Sequence, residues 1–416
     1  MSFSRFFSVL PSGAIRKASS IFLLAVLLLP LSAEQFRFKY NQDEKYRILS
    51  TVNETVRVNG TFANESEIIN RISVHVTDAS PDGRTGTQEA VFMTSENART
   101  AGSTEKRFIW GDEYTSVFTS DEFGHYIIDD EYLMPVVRNE PVFPERDLKA
   151  GDTWEGQGEE VHDMRASFGV AEPLRVPFDT FYTYMDVIER DGKTLHVIQA
   201  ESSIFCDIPV PRGIKEDYPC SMMEYAEQTI FWDNDRGVID SYSEEFRIVL
   251  ETRLGNIIEY AGSASAEYTS SEDLSAPEVL SRVQETLEDL QLEDASLSAD
   301  DKGITVSLEN IQFKADSAVL LPSEKGKLIK LGKLLEAFPG NDLLISGHTA
   351  RAGSEEACQT LSEERAQAVG AFLEQLGVRD AYHIFTRGFG STMPVADNST
   401  EAGKSRNRRV EITILQ

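Results

Sequence analysis

The chain has 416 residues, which is long enough for two or three globular domains. Of these residues, 41% are hydrophobic and 26% are charged, a composition typical of folded proteins rather than of disordered chains. It carries 69 Asp and Glu residues against 40 Lys and Arg residues, for a net charge of -29. Residues 34–301 hold 55 acidic and 23 basic side chains. Such a charge repels nucleic acid and anionic lipid, so neither is an expected partner of this segment.

The N-terminus has the pattern of a secretory signal peptide over residues 1–33. Three basic side chains, Arg5, Arg16 and Lys17, precede the apolar stretch 21–31, which is too short to span a bilayer comfortably. Cleavage after Ala33 predicts a periplasmic protein with no transmembrane segment, and without a cysteine at the junction we expect no lipid anchor. The alternative is an uncleaved anchor, because Leu31 is large for its position before the cleavage site.

Residues 34–270 predict an acidic domain of antiparallel β structure, as one unit or two subdomains. Turn signals separate runs of β-branched and aromatic residues; they lie at Asn59-Gly60, Asp82-Gly83, Asp191-Gly192 and 234–237. Within 71–77, apolar and polar residues alternate, which predicts one buried face and one wet face. His75 is expected on the wet face.

We find no pattern of catalytic or metal-binding residues in this segment. Four histidines, His75, His125, His162 and His196, lack metal-ligand spacing, and residues 233–237 fit a hairpin turn better than a calcium loop. No nucleophile or phosphate-loop motif is present. We therefore expect no enzyme activity, cofactor or metal, and a binding or spacer module instead.

Cys206 and Cys220 flank an irregular segment rich in proline. In an oxidising compartment they form either a disulfide, worth about 3 kcal/mol by loop closure, or two free thiols. The sequence leaves both alternatives open.

Residues 271–301 predict a helical connector followed by a linker. Four apolar residues form one stripe of the helix: Val279, Val283, Leu287 and Leu290. The stripe packs on a neighbouring domain or, alternatively, on a coiled-coil partner.

From residue 302 to 416, strands alternate with helices in the order βαβαββ, which predicts an α/β sandwich with a mixed sheet. Predicted strands lie at 304–308, 343–346, 383–387 and 409–415, and a second helix begins near Ser354. The whole chain is therefore predicted to be an α+β multidomain protein.

The C-terminal segment resembles the OmpA-like domain family. The resemblance rests on five ordered blocks: 310–313 (NIQF), 347–349 (GHT) with Gly353, 361–366 (LSEERA), 388–390 (GFG) with Pro394 and Asn398, and 407–411 (NRRVE). It implies a domain that binds the peptide stem of peptidoglycan without covalent chemistry. By resemblance, Arg365 grips a stem carboxylate, supported by Asp316 and Thr349, with Asn407, Arg408 and Arg409 as further matches.

The helical spacing also places Arg365 on an apolar stripe, where a guanidinium requires an anionic partner. A bidentate carboxylate of the ligand suits its geometry. The alternative is an ion pair within the domain, with Asp316 or Glu411.

The sequence departs from the family at two positions of the pocket. Ala350 stands where the family has an aspartate that pairs with the ligand's ammonium group, and Cys358 stands where it has an asparagine. Three hypotheses remain: wall binding is lost, the stem peptide has different chemistry, or Glu355 or Glu356 substitutes for the aspartate.

The sequence therefore predicts a periplasmic cell-envelope protein, associated with the outer membrane or the wall, that binds peptidoglycan with weakened or altered specificity. The alternative is a non-enzymatic interaction module whose acidic β domain recognises an envelope protein.

Overall fold

The structure is a computed structural model, and it describes residues 33–104, 107–213, 216–271, 274, 276–292, 295–309, 311–314 and 317–416. The predicted signal peptide, residues 1–33, lies outside the described residues except for Ala33. Among the described helices, each is too short or too polar to cross a membrane.

The N-terminal region is one twelve-stranded antiparallel sheet, as the alternating sequence pattern predicts. Its strands are β1 (Lys45–Val58), β2 (Thr61–Ala79), β3 (Thr85–Thr100), β4 (Arg107–Asp121), β5 (Tyr126–Ile128), β6 (Val137–Arg138), β7 (Thr153–His162), β8 (Leu174–Arg190), β9 (Lys193–Asp207), β10 (Pro219–Asp233), β11 (Val238–Thr252) and β12 (Ile257–Ser270). A short helix, α1 (Arg165–Phe168), follows β7. The strand order is β5-β4-β3-β2-β1-β12-β11-β10-β9-β8-β7-β6.

This sheet curls until its two edges approach each other. The edge strands β5 and β6 are consecutive along the chain, joined by residues 129–136. A flat sheet of this size would separate them by roughly 50 Å, whereas eight residues reach at most about 28 Å. The backbone amide of Tyr126 donates to Asn139 Oδ1 at 2.7 Å across the gap. The sheet thus has an interior face and an exterior face.

Tight turns join the long strands where the sequence predicts them. Asn59 and Gly60 adopt φ values of 50° and 77°, and Asp191 and Gly192 adopt 53° and 77°. Both turns need left-handed backbone at two successive residues, which Asn-Gly and Asp-Gly tolerate best. The predicted alternation is also confirmed, because Val74 and Val76 are buried while His75 lies 3.7 Å from Asp43 on the wet face.

Apolar and aromatic side chains close one end of the interior. The segment preceding β1 inserts Phe36, which is fully buried and packs edge-on against Phe143 and Tyr184. Trp232 is also fully buried, and its ring centroid lies 4.9 Å from that of Phe38. The N-terminal segment therefore contributes to the same core as the strands.

The two cysteines of this region are free thiols, which is the second of the two alternatives that the sequence leaves open. Cys206 lies opposite Met222, two residues beyond Cys220, which makes the cysteines diagonal neighbours on β9 and β10. Diagonal Cα atoms are about 7–8 Å apart, whereas a disulfide requires less than about 6.8 Å.

The C-terminal region is a five-stranded mixed sheet covered by helices on one face. Its elements are α2 (Pro277–Asp289), β13 (Ala295–Asp300), β14 (Gly303–Glu309), α3 (Pro322–Leu335), β15 (Leu343–Gly347), α4 (Glu355–Gln375), a 3-10 helix (Ala381–His383), β16 (Ile384–Gly388), α5 (Glu401–Asn407) and β17 (Arg409–Leu415). The strand order is β13-β14-β17-β15-β16, and only the β15–β16 pair is parallel.

Two details differ from the sequence prediction. Residues 295–300, expected as linker, form β13 and pair with β14, and Val283 and Leu287 of α2 pack into the core beneath α3. The helix is therefore part of the C-terminal unit rather than a connector. In addition, the short helix α5 lies between the two final strands, and the predicted order βαβαββ omits this helix.

The two sheets pack against each other. Ile69 and Met93, on the exterior of the N-terminal sheet, contact Leu344, Phe385 and Leu415 on the helix-free face of the C-terminal sheet. All five side chains are buried. The N-terminal sheet thus covers the face of the C-terminal sheet that the helices leave open.

Candidate functional site

Helix α4 carries the central residues of the predicted peptidoglycan pocket. Ser354 caps it, since its Oγ accepts a hydrogen bond from the Ala357 amide at 3.2 Å. Ser362 and Ala366, both fully buried, face β15, and a Cβ on Gly347 would lie 2.1 Å from the Ser362 carbonyl. Small residues at this contact bring the helix close to the end of β15, where the next loop begins.

Arg365 extends from α4 toward the loop between β14 and α3. Its guanidinium lies 4.8 Å above the Phe313 ring, and its Nε donates to the Ser317 carbonyl at 3.4 Å. The side chain is half-buried rather than enclosed in the core. Of the two internal partners considered from sequence, Glu411 pairs with Arg409 and His348, and Asp316 lies outside the described residues.

The loop after β15 is held by backbone hydrogen bonds. The His348 amide donates to Arg409, the Thr349 amide donates to Gly390 at 2.8 Å, and the Arg351 amide donates to Asn398 Oδ1 at 3.1 Å. Thr349 Oγ1 is buried and has no hydrogen-bond partner among the described residues. This hydroxyl remains available to a ligand group.

The two departures from the family adjoin each other. Ala350 and Cys358 are both buried, and the Cys358 thiol donates to the Ala352 carbonyl at 3.1 Å and lies 3.8 Å from that of Ala350. The thiol therefore ties the loop to α4 but provides no negative charge. Glu355 and Glu356 are exposed on the first turn of α4.

The 407–409 motif has structural contacts. Asn407 is 1% exposed; its Oδ1 accepts from the amides of Val395 and Ala396, and its Nδ2 donates to Asn398 Oδ1. Arg408 reaches Glu401 at 3.2 Å on the surface. These contacts hold the loops of the domain in place. The role of Asn407, Arg408 and Arg409 in ligand binding stays a prediction.

Arg409, Glu411 and His348 form a charged group at the end of β15 and β17. The Nε of Arg409 donates to Glu411 Oε1 at 2.7 Å, and His348 Nε2 lies 3.4 Å from the other carboxylate oxygen. Burial would raise the pKa of Glu411, but His348 and Arg409 outweigh burial and lower this pKa to about 2. Glu411 is therefore an ionised structural partner of the loop residues.

The interior of the N-terminal sheet holds a second group of polar residues, which the sequence analysis missed. Glu160 and His162 on β7 and Glu224 on β10 place one possible ligand atom each within 4.8 Å of the others. The only sequence signal is the Glu-x-His spacing on one strand, which puts two side chains on one face. Spacing along the chain cannot reveal the third residue, which is supplied from a distant strand.

Further carboxylates face the same interior. Burial raises the pKa of Glu224 to about 9, and repulsion from Glu160, Glu244 and Glu140 adds to this rise. Burial also raises the pKa of Glu140 to about 7, against the hydrogen bond donated by Thr180. Four glutamates therefore share one poorly solvated volume with His162.

Residues 312–408 match the family model of the OmpA family, whereas the N-terminal region has no family assignment. Probable lipoprotein YiaD of Escherichia coli is 38% identical over 25% of this chain and 48% of its own length. Outer-membrane lipoprotein YfiB of Pseudomonas aeruginosa is 36% identical over 27% of this chain and 72% of its own. Peptidoglycan-binding protein ArfA of Mycobacterium tuberculosis is 39% identical over 25% of this chain and 32% of its own length.

The similarity is confined to one part of each protein. This chain spans about half the length of YiaD and a third of ArfA, and the matches cover about a quarter of this chain.

Proposed function

We propose, on the premise that this chain belongs to the OmpA family through residues 312–408, that it is a cell-envelope protein whose C-terminal domain associates non-covalently with peptidoglycan. The family relative ArfA is named for binding peptidoglycan, which supports this ligand class. The proposed location is the periplasm, in association with the outer membrane or wall.

The position of Arg365 is the observation that supports this function most. Its guanidinium lies over the Phe313 ring, and the edge of a guanidinium binds a carboxylate by donating two parallel hydrogen bonds. The loop after β15 adds the buried Thr349 hydroxyl, which has no hydrogen-bond partner among the described residues. A stem peptide offers both carboxylates and amides, so these groups match its chemistry.

Ala350 is proposed to weaken or alter the specificity of this pocket. Its buried methyl group cannot pair with the ammonium group of a stem peptide, and the adjacent Cys358 thiol is already directed at the loop carbonyls. Losing one partner of a buried charged contact costs about 2–5 kcal/mol, or roughly one to three decades in affinity. Glu355 and Glu356 are solvated, which makes them weak substitutes.

Co-sedimentation of the full chain with isolated sacculi tests the proposal. We expect Arg365→Ala to lower the affinity at least about tenfold, because the carboxylate contact is lost, and Ala350→Asp to raise it by about one decade or more. Arg406→Ala is the matched control, since Arg406 is exposed and pairs with Glu309 away from the pocket. Circular dichroism of each variant verifies folding.

The outcomes separate the hypotheses. Binding that only Ala350→Asp displays means that the native pocket no longer holds stem peptides. If wild type and all variants sediment alike, the pocket is not the wall contact, and the interaction-module alternative applies.

A further inference from the structure

The interior group on β7 and β10 is separate from the peptidoglycan pocket and forms a site of its own. We propose that Glu160, His162 and Glu224 bind one divalent transition-metal ion, with Zn²⁺ as the preferred ion. This inference does not depend on the function proposed for the C-terminal domain.

Curling of the sheet creates the site. In the strand order, β8 and β9 separate β7 from β10, so a flat sheet would hold these strands about 14 Å apart. Instead, one atom from each of the three side chains lies within 4.8 Å of the other two. Three ligands bonded to one Zn²⁺ at about 2.0–2.2 Å lie roughly 3.3–3.6 Å from one another in a tetrahedral site. Binding one ion therefore requires side-chain shifts of about 1 Å, in which His162 Nε2 and Glu160 Oε2, now 2.7 Å apart, move away from each other.

The ligand atoms lack the partners that buried polar atoms normally have. His162 Nε2 and Glu224 Oε2 are buried, and within the described residues neither has a hydrogen-bond partner. Glu160 is 8% exposed, and its Oε2 lies 2.7 Å from His162 Nε2 without hydrogen-bond geometry. Unsatisfied buried polar atoms are uncommon in folded proteins, and a bound ion is one of the groups that can satisfy them. A metal ion would satisfy all three side chains at once.

The charge of the surroundings also favours a cation. Glu140 and Glu244 face the same volume, where their hydrogen bonds come from the neutral side chains of Thr180 and Gln228. Apart from His162, these groups include no histidine, lysine or arginine. A divalent ion would stabilise the ionised form of the glutamates, which burial and mutual repulsion disfavour.

The donor set selects the class of ion. Imidazole nitrogen and carboxylate oxygen are both zinc ligands, and three protein ligands leave a fourth position for water or another ligand. Calcium and magnesium prefer oxygen donors alone, so the imidazole disfavours them. Because its ligands come from two strands that are not neighbours in the sheet, the ion would cross-link β7 to β10.

Calorimetric titration of the chelator-treated full chain with ZnCl₂ tests the site. We expect one equivalent of Zn²⁺ per chain, with Glu224→Gln and His162→Gln each reducing affinity at least about tenfold. A rise of the melting temperature on adding Zn²⁺, absent in both variants, gives a second readout. X-ray absorption at the zinc edge should show scattering from one imidazole.

Matched controls separate this site from adventitious surface binding. Glu227→Gln changes the same residue type on the exterior of β10, and His75→Gln changes an exterior histidine; both should bind Zn²⁺ as wild type does. The proposal is overturned if wild type binds no stoichiometric Zn²⁺. Equal binding by the Glu224 and His162 variants, or a preference for Ca²⁺ or Mg²⁺, also overturns it.

Discussion

Two groups of buried carboxylates in this protein differ in how their charge is balanced. At the contact between the two sheets, Asp342 is fully buried and meets Arg47, Arg71 and His383, each within 2.7 Å of a carboxylate oxygen. Inside the N-terminal sheet, Glu160 and Glu224 share their space with further glutamates and one histidine. The first group contains its own cations, whereas the second does not.

The pKa shifts reflect this difference. Burial would raise the pKa of Asp342, but the hydrogen bond from His383 and the charges of Arg71 and Arg47 lower it below its ordinary value. Burial and like charges instead raise the pKa of Glu224. The comparison teaches that burial alone does not decide the ionisation of a carboxylate; its partners do. The charge of Asp342 is balanced by its neighbours, whereas the interior glutamates need an added cation or protons to balance theirs.

The largest expected effect is that of Asp342→Ala. The substitution leaves Arg71, which is 2% exposed, without its carboxylate, so we expect the free energy of unfolding to fall by about 3–5 kcal/mol. Urea denaturation of the full chain measures this change. Asp301→Ala, on an exposed turn, is the control and should change stability by less than about 0.5 kcal/mol. A loss in Asp342→Ala as small as that in the control would mean that the interface group does not stabilise the fold.

A smaller effect is expected from the interior glutamates as pH changes. The folded pKa of Glu140 is about 7, above its ordinary value of 4.5, so its contribution is present below pH 4.5 and lost as pH rises through 7. We expect chelator-treated protein to lose about 2–3 kcal/mol of unfolding free energy between pH 5 and 8 from this group.

Glu140→Gln should flatten that pH dependence while retaining the acceptor for Thr180. Denaturation curves at pH 5, 6, 7 and 8 provide the measurement, with the exposed Glu145→Gln as the matched control. An unchanged slope in Glu140→Gln would contradict the assignment. Saturating Zn²⁺ should reduce the slope, because the ion favours the ionised carboxylates of the same volume.

The smallest effect is expected for His383→Gln at the interface. Its hydrogen bond to Asp342 raises the pKa of His383, although burial opposes the rise. The contribution is therefore fully present below pH 6.5 and is lost as pH rises through the raised folded pKa. Since the side chain is a third exposed, we expect a loss of about 1 kcal/mol or less at pH 6 and none at pH 9. A loss that is the same at both values would show that His383 acts through packing alone.

Local signals predicted the elements well because they act between neighbouring residues. Asn59-Gly60 forms its turn for backbone reasons, and Ser354 caps α4 through an amide three residues away. The family blocks located the C-terminal domain, and Ala350 was identified as a departure from sequence alone. In contrast, residues 295–300 were predicted as linker, because their pairing with β14 depends on the whole sheet.

The candidate sites divide along the same line. Arg365 was found from its motif, but its stacking on Phe313 and the structural roles of Asn407 and Arg409 required coordinates. The loop between Cys206 and Cys220 left a disulfide and two free thiols both open from sequence, whereas the strand register places the cysteines diagonally. Proximity along the chain does not determine which side chains oppose each other across strands.

By itself, the sequence determined the strand periodicity, the turns, the C-terminal family and the acidic character of residues 34–301. The tertiary structure decided that the long sheet curls, that its exterior covers the C-terminal sheet through Asp342, and that Glu160, His162 and Glu224 meet. The reason is physical: periodicity and turn chemistry are local, whereas curvature and burial depend on all strands together.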